Sequence, residues 1–162
     1  MNGRTIGDLY LEAVTRNFRG LKTYAERALE QVADDQLHVA PDPHSNSIAV
    51  LVKHLAGNMR SRWTDFLTTD GEKPDRNRER EFEKRRESRE ELLAAWNDGW
   101  SRLLETIASL TEEDLTREVS IGGEKHSVVL AINRAVQHYA YHVGQIVYLA
   151  KHLAGDRWNA LS

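Results

Sequence analysis

Apolar side chains return every three or four positions in four long stretches of this chain, the repeat that lines one face of an α-helix. The first stretch runs roughly from Thr5 to Val32 and carries Ile6, Leu9, Val14, Phe18, Leu21, Ala25 and Leu29 on that face. The second, from about Ser47 to Thr68, carries Ile48, Leu51, Val52, Leu55, Met59, Trp63 and Phe66. Asn46 or Ser47 stands where a side-chain oxygen can accept a free amide at its start. The third begins near Ser88, where Ser-Arg-Glu-Glu fits the reciprocal Ser-x-x-Glu cap, and reaches about Leu110 through Leu92, Trp96, Trp100, Leu103 and Ile107. The fourth spans Ser127 to Gly155, whose glycine suits a helix end.

Pro41, Pro43 and Pro74 all fall between these stretches, so the spacing predicts an all-α fold, a helical bundle occupying residues 1–162 as one domain. Thr111 to Asp114 predicts a short helical turn. Glu118 to Ile121, followed by Gly122-Gly123, predicts a small extended excursion and a turn. From Gly71 to Glu91 acids and bases alternate, with Phe82 almost alone as an apolar residue. Such a run reads as a solvated loop or an exposed helical extension.

Composition narrows the function classes. Lys and Arg number 22 against 25 Asp and Glu, a formal charge of -3, which argues against a polybasic nucleic-acid surface. No apolar run is long enough to span a bilayer, and Met1 to Gly20 lacks the apolar block of a secretory leader. The expected setting is the cytoplasm. Cysteine is absent, so disulfides, thiolate metal sites and cysteine nucleophiles are excluded, and any thiol in the chemistry comes from outside.

The seven histidines are not equivalent. His38 and His44 lie in a polar, proline-bearing loop, His126 precedes a helix and His152 sits near a helix end. These read as surface or helix-terminal residues. His138 and His142 form a His-x-x-x-His pair inside the most periodic stretch. Four helical residues advance about 400°, which leaves the two imidazoles only ~40° apart around the axis, one turn above the other. They share that face with Ala131, Ala135, Gln145 and Leu149. Two buried imidazoles need partners for their ring nitrogens. A shared metal ion satisfies both, and so do hydrogen bonds inside a core. The glutamate that follows the first His in helical zinc proteases is missing, and Tyr139 stands there. His54, on the second stretch, lies at the edge of the apolar stripe. It faces either the interior, where it can join the pair as a third nitrogen ligand with a coordination position left open, or solvent.

The segment Ser47-Ile48-Ala49-Val50-Leu51-Val52-Lys53-His54-Leu55-Ala56-Gly57-Asn58-Met59 and the later His138-Tyr139-Ala140-Tyr141-His142-Val143-Gly144-Gln145-Ile146 resemble the DinB/YfiT-like family of metalloenzymes. Arg62 to Leu67 and Asp70-Gly71-Glu72-Lys73-Pro74 resemble its subfamily DUF1572. The resemblance covers nearly the whole chain. It implies an up-down-down-up four-helix bundle, often a homodimer, with a three-His divalent metal site. Carried over by position, the ligands are His54, His138 and His142. Zinc, nickel, copper and iron all accept imidazole, so the residues do not choose the metal. Relatives include thiol-dependent S-transferases and a mycothiol-dependent isomerase.

Three functions follow as expectations. The first is a metal-dependent transferase or hydrolase acting on a small molecule, with a low-molecular-weight thiol as partner. Gln145, Asn58 and Arg62 are its candidates for orienting substrate; structurally, the amides also suit interhelical hydrogen bonds and the arginine a surface ion pair. The second is a metal-binding or stress-response module without turnover, and the third a bundle whose histidines only pack. Trp63, Trp96 and Trp100 exceed what a small core readily absorbs, and aromatic residues are enriched at interfaces. Together with the resemblance they predict a homodimer.

Overall fold

Each long helix starts on a side-chain hydroxyl. In the computed structural model, which describes residues 3–161, α1 (Ile6–Leu29) is capped by Thr5, whose oxygen accepts from the Asp8 amide while Asp8 accepts from the Thr5 amide. Ser47 caps α2 (Ile48–Trp63) through the Val50 amide. After the single turn α3 (Arg78–Glu81), Ser88 and Glu91 form the expected reciprocal cap of α4 (Arg89–Ser109). The antiparallel strands β1 (Glu118–Ile121) and β2 (Glu124–Ser127) follow, with Val119 opposite His126, and Ser127 then caps α5 (Val128–Ala154). The hairpin turns at Gly122 (φ 62°) and Gly123 (φ 82°), left-handed conformations that glycine adopts without a Cβ clash. The fold is thus mostly helical.

The helices enclose one core. α2 packs on α4 and α1 on α5, while α1 also meets α4 and α2 meets α5, which closes the set of neighbours. Phe18, Leu55, Met59, Trp96, Trp100, Leu103, Ile132 and Ile146 are fully buried between them. Trp63 at 2% exposure, with Trp96 and Trp100 at 0%, lies inside this core; Trp63 and Trp100 meet Phe18 edge-on, and Trp96 meets Trp100. A single chain therefore absorbs all three indoles, and they give no surface from which to argue a dimer. Among the described residues no helix is long and apolar enough to cross a membrane.

Two expectations need correction. α2 ends at Trp63, five residues before Thr68. Thr64 is extended and Asp65 has φ 48°, so the chain reverses and lays Phe66 against Trp63 with ring centroids 4.7 Å apart. Phe66 keeps its buried place without continuing the helix. The charged run at 71–91 is not solvated throughout either. Glu81 and the Arg76 side chain are buried, at 8% and 6% exposure. The start of the connection is pinned to the hairpin by Asp70, which accepts hydrogen bonds from the Gly122 and Gly123 amides at 2.7 and 2.8 Å and from the Ser120 hydroxyl.

Candidate metal centre

His54 is supplied by α2, His138 and His142 by successive turns of α5, and their side chains converge where these helices face each other. One ring nitrogen from each lies within 4.8 Å of the others. His54 Nε2 and His138 Nε2 are 3.2 Å apart, and the His142 ring is 4.9 Å from His54 and 4.8 Å from His138 between centroids. His54 and His142 are buried and His138 is partly exposed. The inward orientation of His54 is the one its sequence position left open.

Partners on the far side of two rings fix their orientation. His54 Nδ1 donates to Glu81 Oε2 at 2.9 Å. Arg76 grips the same carboxylate at both oxygens, Nε to Oε1 at 2.8 Å and Nη2 to Oε2 at 2.9 Å. Burial alone raises a carboxyl pKa, but the hydrogen bonds from His54 and Arg76 outweigh it and hold Glu81 below its ordinary value, ionised and accepting. With Nδ1–H donating to the carboxylate, Nε2 of His54 carries the lone pair. On the other ring, His142 Nδ1 meets Gln145 Oε1 at 2.8 Å.

The Nε2 of His142 is buried without any hydrogen-bond partner. Protonated or not, it is a polar atom left unsatisfied by protein, a condition that costs about 1–3 kcal/mol. Hydrogen bonding within the cluster can satisfy the His54–His138 contact by one shared proton but does not reach this atom. A cation shared by the three rings does. Zinc–imidazole bonds of ~2.0–2.1 Å place nitrogens of a tetrahedral set about 3.3 Å apart, close to the His54–His138 separation. Two of the rings are held toward the neutral form that ligates. Burial first, then the neighbouring His142 and His54, pushes His138 down to about 3, and burial lowers His142. The residues thus fit a divalent metal.

Glu81 is the functional residue the sequence did not disclose. Its one local sign is Gly57, a glycine inside α2: a Cβ there would collide with Glu81 Oε1 and push the carboxylate from its place beside His54. Of the three candidates for orienting substrate, Gln145 instead bonds the His142 ring, and Asn58 accepts from the Tyr139 hydroxyl at 2.9 Å as an interhelical bond. Arg62 lines a cavity of about 330 Å³ together with His54 and His138. A second cavity, of about 590 Å³, borders Gln145 and Tyr141, whose ring lies 4.1 Å from that of His142. His38 bonds the Glu87 carbonyl and His126 meets Arg134, so both are occupied structurally.

No protein of curated function matches the chain. Over residues 5–162 it matches the model of the family described as "Protein of unknown function (DUF1572)", and it belongs to that family.

Proposed function

We propose that the chain is a divalent-metal-dependent enzyme acting on a small molecule, with His54, His138 and His142 as ligands. The observation that carries this reading is the buried, partnerless Nε2 of His142 beside two further ring nitrogens. When bound, the ion supplies Lewis acidity, which lowers the pKa of a water or of an external thiol. The chain's own residues do the rest. Glu81 and Gln145 orient His54 and His142. Arg76 keeps Glu81 ionised, and the packed core behind the rings excludes water. With no cysteine in the sequence, any thiol comes from outside, and a low-molecular-weight thiol attacking a small electrophile, as the resemblance implies, is the favoured reaction, with hydrolysis second. A reducing cytoplasm, where such thiols are free, suits it.

The reading includes the DinB/YfiT-like bundle in up-down-down-up order. Pairings along the helices support it. Tyr10 bonds Val129 near the start of α5, while Gln31 bonds Asn159 beyond its end, as for parallel first and last helices. Lys53 bonds Glu87 just before α4 and the Trp63 carbonyl accepts from Thr106 near its end, as for parallel middle helices. The homodimer rests on the resemblance alone. Sedimentation showing only single chains at micromolar concentration overturns that part.

The test is elemental analysis of protein purified without an affinity tag, followed by a thiol-conjugation assay. His142→Ala is expected to lose stoichiometric metal and His38→Ala to keep it. Chelation should abolish conjugation, and added metal should restore it. Equal metal content in the two variants defeats the ligand assignment. Metal without turnover on any thiol or hydrolysable substrate moves the non-catalytic metal-binding module ahead.

A further inference from the structure

The cavity beside His54 and His138 has an unusual charge. Four guanidinium groups line it, those of Arg62, Arg76, Arg78 and Arg134, against the single carboxylate of Glu72. Arg76 is already neutralised, bound at both oxygens of Glu81 and at Glu72 Oε1 by 2.9 Å. The other three have no carboxylate at hydrogen-bond distance among the described residues. Arg62 comes no closer than 3.9 Å to Glu72, and its Nε has only the Gly71 carbonyl, at 3.5 Å. Arg134 donates to the His126 ring at 2.9 Å.

Arg62 makes this more than a basic surface. Its side chain is 12% exposed, so its charge is largely removed from water, and its one carboxylate neighbour, Glu72, stands off at 3.9 Å and is shared with Arg76. Such a charge is costly until an anion meets it. Burial lowers its pKa; Tyr139 and Glu72 work against that, and the charges of Arg134 and Arg76 add to it. Planar guanidinium forks match the paired oxygens of carboxylate and phosphate.

We propose that this cavity is an oxyanion pocket, in which Arg62 and Arg134 hold the carboxylate or phosphate of a small-molecule substrate beside His138. That the held molecule reacts there rests on the metal-dependent reading above; that the pocket binds an oxyanion does not.

Titration calorimetry of the full chain with inorganic phosphate and with succinate, before and after chelator treatment, tests the proposal. Saturable binding of at least one probe is expected in both states, and the preferred probe tells phosphate from carboxylate. Arg134→Ala, on an exposed helix position, and Arg62→Ala should each weaken binding roughly tenfold or more. Arg62→Lys should lie between Arg62→Ala and the parent. Arg16→Ala, on the outer face of α1, should bind as the parent does. His142→Ala should keep anion binding while losing metal; if it retains both, the metal reading fails and the pocket stands. No binding of either probe by the parent chain, or parent-like binding by both Arg62→Ala and Arg134→Ala, overturns the proposal.

Discussion

Glu81 stands beside Phe82, the one large apolar residue between Gly71 and Glu91, in a stretch whose composition reads as solvent-facing, yet its carboxylate ends on the ring nitrogen of His54. Such partners fix the tautomer and aim of a metal-binding imidazole, and their removal typically costs 10–100-fold in metal affinity. Glu81→Gln keeps the shape but loses the charge that Arg76 balances. It is therefore expected to weaken metal binding by about that factor while the helical circular dichroism stays unchanged. Gly57→Ala should do the same from the opposite side, because its methyl group occupies the space of Glu81 Oε1. Competition against a chromophoric chelator reads both; parent-like affinity in the two variants removes Glu81 from the site. His138 and His142 were legible because their type and helical spacing are local properties, and His54 joined them only through the family resemblance. Glu81 was not, because nothing within its own segment says which of its many carboxylates is carried inward.

At the scale of elements, the caps and the repeat of apolar residues placed four helices, and Gly122-Gly123 marked the turn after one extended segment, since these signals are written within a few residues of where they act; the pairing strand Glu124–Ser127 was not foreseen. The end of α2 was not so written. Phe66 continues the helical repeat, but its burial is achieved by folding back on Trp63 after the turn at Asp65. The connection that follows takes its shape from long-range bonds, chiefly those of Asp70 to the hairpin turn. Hydrogen bonds from the Ser120 hydroxyl, then from the backbone amides of Glu72, Gly123 and Gly122, hold Asp70 well below the ordinary carboxylate range. A carboxylate depressed in the folded state stabilises it above the unfolded pKa of about 4, and that stabilisation is lost as the pH falls through the folded value. Asp70→Asn is thus expected to cost about 1 kcal/mol at pH 7, after allowance for solvent screening at this partly exposed position. The difference between variant and parent should shrink steadily below pH 4. Urea melts at neutral and acid pH measure it, and a gap that widens on acidification contradicts the assignment.

For the whole molecule, the candidate metal centre and the hydrophobic core meet along one seam. Tyr139 occupies the position after the first His of the pair but turns the other way, fully buried, accepting from Trp63 Nε1 at 3.0 Å and donating to Asn58 Oδ1. Burial pushes its pKa up to about 12, so the hydroxyl keeps its proton and donates at any ordinary pH. α5 thus ties to α2 twice, by a neutral hydrogen-bonded chain on the core side and by the three imidazoles on the other. A ligand of the folded state alone stabilises it by an amount set by its concentration over its Kd, about 2.7 kcal/mol at a hundredfold excess. A metal held by rings from both helices has no preformed counterpart in the unfolded chain, where the histidines are 84 residues apart for His54 and His138. Adding zinc to chelator-treated protein at a hundred times its Kd should therefore raise the unfolding free energy by roughly that amount in the parent and in His38→Ala. His142→Ala, lacking one ligand, should show little of the gain, and Tyr139→Phe should show the full gain from a baseline lowered by about 1–3 kcal/mol, because its Trp63 and Asn58 partners are left unpaired in the core. Zinc that stabilises His142→Ala as much as the parent would place the ion elsewhere, and a zinc gain lost in Tyr139→Phe would mean that the core side of the seam, not the imidazoles alone, holds the ligand helices in register.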